Sequence, residues 1–344
     1  MFFIVDCEMG DGMTTVYFAT NRINDGTGVW GYGAKVAPYD TSQITFAVAD
    51  VTGIDLQAEG SGTINGITDK TPANFSAETT KAIVGTNKNL LIFVHGFDNS
   101  FEDAIKRSAF NREWFAATGQ PGTDMTVVAF TWPSQGTLFA APPHMPPDAY
   151  LTDQANAGRS GWHLAYFFGV IDQLSAVYRK ANPTGRMVLL AHSMGNYALQ
   201  GAIQTWGSSR PSDTVVFDDV VLAAADEVDD TFERPAGGRM TDLPKLTNRI
   251  SVYYSCKDVA MYLSTTINLT ARLGFDGPSD KRNAAVYTPK EFRIVDCTEV
   301  SDFDLLNPPD ATHQYYRRSK IVRADIASVI ANTAAGSGGL RTLS

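Results

Sequence analysis

The sequence predicts a doubly wound α/β fold, in which helices cover both faces of a mostly parallel central sheet. Short runs rich in Val, Ile, Leu and Phe alternate with stretches of helical periodicity. The apolar runs lie at residues 89–94, 126–131, 186–191, 217–224, 249–255 and 291–296. Apolar strands separated by amphipathic helices are typical of a parallel sheet that is buried on both faces.

The first 85 residues have a different pattern, with two strand-like segments at 15–20 and 44–48 and no convincing helix. Glycine-rich turns join these segments, so we expect an antiparallel extension of the sheet edge. The sequence predicts a single domain over residues 1–332 that includes this extension at 1–85. It also predicts a possible short lid at 229–247 and, from its Gly and Ser content, a flexible tail at 333–344.

Composition and charge exclude several classes of protein. The chain has 344 residues, of which 44% are hydrophobic and 19% are charged, so it is neither disordered nor fibrous. Its net charge of −9 argues against nucleic-acid binding, and its apolar stretches are too short to cross a membrane. The first residues lack the features of a signal peptide. The chain has three widely spaced cysteines, which are Cys7, Cys256 and Cys297. They form neither a zinc-binding pattern nor a disulfide framework, so a cytoplasmic protein is expected, without metal or cofactor.

The strongest local motif is Ala191-His192-Ser193-Met194-Gly195, which connects an apolar strand to a helix. A sharp strand-to-helix turn of this kind exposes a nucleophilic serine above the sheet edge, and it requires small flanking residues. It also places the serine at a helix N-terminus, where backbone N–H groups favour developing negative charge. The motif predicts that Ser193 is a nucleophile.

A second strand ends in His95-Gly96-Phe97. The tetrahedral intermediate of acyl transfer needs two hydrogen-bond donors, and the backbone amides of Phe97 and Met194 are the natural pair for this oxyanion hole. For His95, a role in supporting the loop is favoured over proton transfer.

A serine nucleophile needs a base that is oriented by a carboxylate. Among the five histidines, His313 is the preferred base, because it lies between the last predicted strand and the final helix. Two aspartates follow neighbouring strands: Asp258 is preferred as the triad acid, with Asp226 as the alternative. Trp132 and His144 are expected to contact the substrate, together with Phe97 and the proline-rich loop at 142–147.

The chain resembles the alpha/beta-hydrolase superfamily and, more narrowly, a bacterial subfamily of esterase- and lipase-like hydrolases with largely unassigned substrates. The resemblance lies in residues 17–22, 95–101, 130–134, 191–195, 224–226, 255–258 and 313–316. It implies a triad of Ser193, His313 and Asp258, with an oxyanion hole at Phe97 and Met194. One departure is Ala191, which stands where the first glycine of the serine motif is usual.

These observations predict a serine carboxylesterase that acts on small to medium neutral esters. A thioesterase, an amidase or a lactonase would use the same triad, and a non-catalytic binding protein could keep the same fold. The expected partner is a small-molecule ester, without nucleic acid and without a membrane span; the sequence does not predict the oligomeric state.

Overall fold

The computed structural model describes residues 12–136, 138–140, 143–209, 215–234, 238–302, 312–334 and 338–344. Cys7, the first residues and Pro142 lie outside this part of the chain. The strands are β1 (Thr14–Thr20), β2 (Arg22–Asn24), β3 (Tyr32–Val36), β4 (Thr45–Thr52), β5 (Thr63–Pro72), β6 (Leu90–Val94), β7 (Thr126–Thr131), β8 (Phe139–Ala140), β9 (Pro143–His144), β10 (Met187–His192), β11 (Asp219–Ala223), β12 (Ile250–Tyr254), β13 (Phe292–Asp296) and β14 (Gly339–Thr342).

The helices alternate with these strands over most of the chain. They are α1 (Ala77–Gly85), α2 (Phe101–Ala116), α3 (Pro147–Ala181), α4 (Gly195–Ser209), α5 (Val259–Asn268), α6 (Leu273–Asp276), α7 (Tyr315–Arg318) and α8 (Lys320–Ile330). Helix α2 begins with a capping box, in which the side chains of Ser100 and Asp103 each accept a hydrogen bond from the other residue's backbone N–H.

The central sheet has the strand order β14-β13-β12-β11-β10-β6-β7-β1-β4-β5. Strands β14 to β1 are parallel, and β4 pairs antiparallel with both β1 and β5. Alternate side chains of β6 enter two separate cores: Leu90 and Ile92 pack on the face that carries α3 and α4, whereas Leu91 and Phe93 pack on the face that carries α2 and α8. The predicted doubly wound fold with an antiparallel N-terminal edge is confirmed.

The N-terminal region differs from the prediction in two details. Strand β1 pairs in parallel with β7, so the antiparallel part of the edge is formed by β4 and β5. The same region also contains helix α1, which Ser76 caps by accepting a hydrogen bond from the N–H of Thr79. This helix buries only Thr79 and Ile83, so its sequence carries little apolar periodicity.

The prediction of a flexible tail is wrong for its last part, because β14 extends the sheet by pairing with β13. Arg341 of β14 lies 2.9 Å from Asp325 of α8, an ion pair that fixes the strand to the helix layer. The predicted lid at 229–247 includes 235–237, which lie outside the described residues. Its described parts bury Phe232, Met240 and Leu243 in the core, which is the packing of a connection between β11 and β12 and not of a lid.

We expect the Asp325→Ala variant to be less stable than the wild type by about 3–5 kcal/mol, because a buried arginine loses its carboxylate. Arg293 is fully buried 3.2 Å from Asp325, and the Tyr253 hydroxyl donates to the same carboxylate at 2.7 Å. Urea unfolding measures the loss. Asp230→Ala, which breaks an exposed pair with Arg234, is the control and is expected to cost less than about 1 kcal/mol. Equal losses in the two variants would contradict the prediction.

Candidate active site

Ser193 occupies a strained turn between β10 and α4. Its φ of 54° lies in the left-handed region, which is uncommon for a residue with a side chain and marks functional turns. The Ser193 N–H donates to the carbonyl of Ala223 at 3.0 Å, and the Ser193 carbonyl accepts from the N–H of Asp226 at 3.1 Å. The end of β11 therefore holds the serine backbone from both sides.

Two glycines permit this turn. A Cβ on Gly195 would lie 2.5 Å from the His95 carbonyl oxygen and 2.8 Å from that of Val94. A Cβ on Gly96 would lie 2.6 Å from the Cβ of Ser193. All three distances are shorter than an ordinary carbon contact, so the ends of β6 and β10 approach closely only because neither glycine has a side chain.

Two backbone amides lie beside the serine, those of Phe97 and Met194. Met194 directly precedes α4, and Phe97 follows Gly96 in a loop that Asn99 fixes by donating to the carbonyls of Gly96 and Phe97 at 3.0 and 2.7 Å. Within the described residues, no group accepts a hydrogen bond from the N–H of Phe97 or of Met194. Both residues predicted for an oxyanion hole thus offer an unused donor.

His95 supports the Phe97 loop. Its Nε2 accepts from the Trp132 N–H at 3.0 Å, so its Nδ1 carries the proton and donates to the Gly96 carbonyl at 2.9 Å. Burial lowers the pKa of His95 well below its ordinary value, which keeps the ring neutral. Trp132 stacks on this ring, donates from Nε1 to the His95 carbonyl and is completely buried. The expectation that Trp132 contacts the substrate is therefore wrong, because the buried indole packs against His95 and helps to hold the Phe97 loop.

His313 and Asp258 form a buried pair. Nδ1 of His313 lies 2.8 Å from Oδ2 of Asp258, and the same carboxylate caps α5 by accepting from the Met261 N–H at 3.0 Å. Burial raises the pKa of Asp258, while His313 and nearby amides oppose that rise. The ring of His192, the residue before Ser193, packs against the ring of His313 with centroids 4.7 Å apart. The pair therefore lies beside the serine turn.

The carboxylate of Asp226 has other partners. It accepts hydrogen bonds from the hydroxyls of Tyr150 at 2.8 Å and Ser264 at 2.6 Å, and it lies 3.4 Å from Nε of Arg272. The structure therefore brings His313 together with Asp258, the preferred of the two predicted acids. His144 is exposed on β9, where its contact with a substrate stays a prediction.

Sequence reasoning missed the polar network around Asp226. Tyr150 and Asp226 are 76 residues apart, and no local motif joins them.

In the part of the chain that the structure describes, no group of three or more His, Cys, Asp or Glu side chains could hold a metal ion. None of the described helices is long and apolar enough to cross a bilayer.

Comparison with known proteins agrees with the observed architecture. The family model described as "Alpha/beta hydrolase of unknown function (DUF900)" matches residues 71–331. No curated protein matches the chain. Among solved structures, the crystal structure of the gene lin2722 product from Listeria innocua matches with 10% identity and a TM-score of 0.37, over 75% of this chain and 99% of that chain. That likeness is too weak to carry an argument about function. Since the family model covers more than half of its residues, the chain belongs to this alpha/beta hydrolase family.

Proposed function

We propose that this protein is a serine carboxylic-ester hydrolase with Ser193 as nucleophile, His313 as base and Asp258 as the acid of the triad. The observation that carries the proposal is the His313–Asp258 contact of 2.8 Å beside a strained serine turn, where two backbone amides have no acceptor among the described residues. Nucleophile, base, orienting carboxylate and oxyanion donors are the complete set that acyl transfer requires.

In this mechanism, His313 removes the hydroxyl proton as Ser193 attacks the ester carbonyl. The amides of Phe97 and Met194 bind the oxyanion, and one such donor contributes roughly 10²–10³ in rate. His313 then protonates the leaving alcohol, and a water activated by the same ring releases the acid from Ser193. Asp258 keeps the proton of the neutral ring on Nδ1 and stabilises the imidazolium.

We expect small to medium neutral esters as substrates, because the half-buried Phe97 contributes an aromatic ring next to the proposed oxyanion hole. The test is hydrolysis of p-nitrophenyl esters from acetate to palmitate by the purified protein. The proposal predicts turnover of the short esters, with rates that fall at the longest chains. Hydrolysis of every ester at the rate of a protein-free control would contradict it.

A further inference from the structure

A second buried carboxylate adjoins the serine turn. Asp226 is only 2% exposed, and its N–H donates to the carbonyl of Ser193 at 3.1 Å. Three residues earlier in the chain, the carbonyl of Ala223 accepts from the N–H of Ser193 at 3.0 Å. The turn at 223–226 therefore sets the position of the Ser193 backbone and, through it, of the Met194 amide.

This turn is itself strained. Ala224 has a φ of 45°, a conformation that disfavours residues with a side chain. Such strain persists only where the surroundings over-determine the backbone. Gly274 supplies part of that constraint: a Cβ there would lie 2.4 Å from the carbonyl carbon of Ala224, and its N–H donates to Ala225 at 2.8 Å.

The Asp226 carboxylate supplies a second constraint, because it joins the turn to two helices. It accepts from Tyr150 of α3 and from Ser264 of α5, and Arg272, only 3% exposed, lies beside it. The Tyr150 hydroxyl in turn accepts from Asn268 of α5 at 2.8 Å. Every group in this network is held by at least one partner on a different element.

Tyr150 connects the network to the other half of the proposed oxyanion hole. Its ring packs against the ring of Phe97, with centroids 6.1 Å apart. Asp226 thus acts on the Met194 amide through its own backbone and on the Phe97 loop through Tyr150. Among the described acidic residues, no other bonds through its backbone N–H to Ser193 and through its carboxylate to a residue that contacts Phe97.

We infer that Asp226 is a positioning residue, whose carboxylate and backbone N–H fix the two oxyanion donors relative to each other. This inference rests on the proposed function for its kinetic consequence, but its structural part is independent of it. Asp226 makes no contact with the reacting atoms in this scheme; the orientation of His313 remains the task of Asp258.

The first test compares Asp226→Asn with the wild type. Asparagine keeps the shape of the side chain, but it puts an NH₂ group in place of one oxygen and removes the charge next to Arg272. Because a misplacement of about 1 Å can cost 10²-fold in rate, we expect kcat to fall roughly 10- to 100-fold with KM nearly unchanged. Tyr150→Phe, which keeps the ring and loses the hydroxyl, is expected to move kcat in the same direction and serves if Asp226→Asn fails to fold.

Asp219→Asn is the matched control. Asp219 is a fully buried carboxylate on the same strand, β11, and it pairs with Arg186 and with Arg249. It lies at the opposite end of the strand from the serine turn. Its loss is expected to lower thermal stability and to leave kcat at the wild-type value.

Hydrogen exchange measured by mass spectrometry supplies a readout without activity. The inference predicts faster exchange of the two hydrogen-bonded amides of the turn, at 193 and 226, in Asp226→Asn and Tyr150→Phe, but not in Asp219→Asn. Exchange of these amides at the wild-type rate in Asp226→Asn and Tyr150→Phe would overturn the inference. If kcat fell in these variants all the same, the result would point to direct participation of Asp226 in the chemistry. If the wild type cleaves no ester, the proposed function fails, while the exchange rates still decide the positioning role.

Discussion

Replacement of Ser193 with alanine is expected to lower the rate of ester hydrolysis by roughly 10⁴- to 10⁶-fold. In the proposed mechanism this hydroxyl is the nucleophile, and the strained turn that carries it lies beside the His313–Asp258 pair. Within the residues that the structure describes, the serine side chain donates no hydrogen bond on which the fold depends. The loss should therefore appear in kcat while the thermal unfolding temperature stays near that of the wild type.

The control for this variant is Ser175→Ala. Ser175 is buried in α3 and donates to the carbonyl of Asp172, away from the serine turn, so its removal tests whether loss of any buried serine hydroxyl impairs the enzyme. We expect Ser175→Ala to hydrolyse esters at the wild-type rate. Comparable residual rates in Ser193→Ala and Ser175→Ala, measured on p-nitrophenyl acetate, would exclude Ser193 as the nucleophile.

The second large effect is expected from Asp258→Asn, which should lower kcat by roughly 10⁴-fold. An amide NH₂ in place of the carboxylate oxygen favours the His313 tautomer with its proton on Nε2, which cannot accept the serine proton. It also gives no stabilisation to the charged form of the ring. The fold should survive, since Asp258 also caps α5 and asparagine caps helices equally well. Steady-state kinetics and circular dichroism measure the two properties separately.

Comparison with Asp226→Asn decides between the two acids that the sequence suggested. The structure favours a loss roughly 100- to 1,000-fold larger in Asp258→Asn, because of these two aspartates Asp258 is the one that contacts His313. If Asp226→Asn were the less active variant, Asp226 and not Asp258 would be the acid of the triad.

The sequence predicts well those parts of the fold that depend on local pattern. Strands such as β6 and β10 are buried on both faces, so their apolar runs are continuous and easily found. Strand β14 could not be predicted in this way, because residues 339–342 hold alternating half-buried and exposed side chains. Pairing with β13 and the Arg341–Asp325 ion pair hold this strand in the sheet, and both are contacts between distant parts of the chain.

The candidate site shows the same division. The serine turn has a local signature, since the close approach at Gly195 demands a residue without a side chain. His313 and Asp258 are 55 residues apart, and chain order favours Asp258 over Asp226 as the partner without deciding between them. The prediction for Trp132 is wrong because the sequence does not show whether an aromatic side chain at a strand end lines a pocket or is buried against a histidine, as Trp132 is against His95.

Covalent labelling with a fluorophosphonate, followed by peptide mass spectrometry, identifies the nucleophile directly. We expect one adduct per chain on the peptide that contains Ser193, with no adduct in Ser193→Ala and slow labelling in Asp258→Asn. An adduct on another residue, or equal labelling of wild type and Ser193→Ala, would contradict the assignment of Ser193 as the nucleophile.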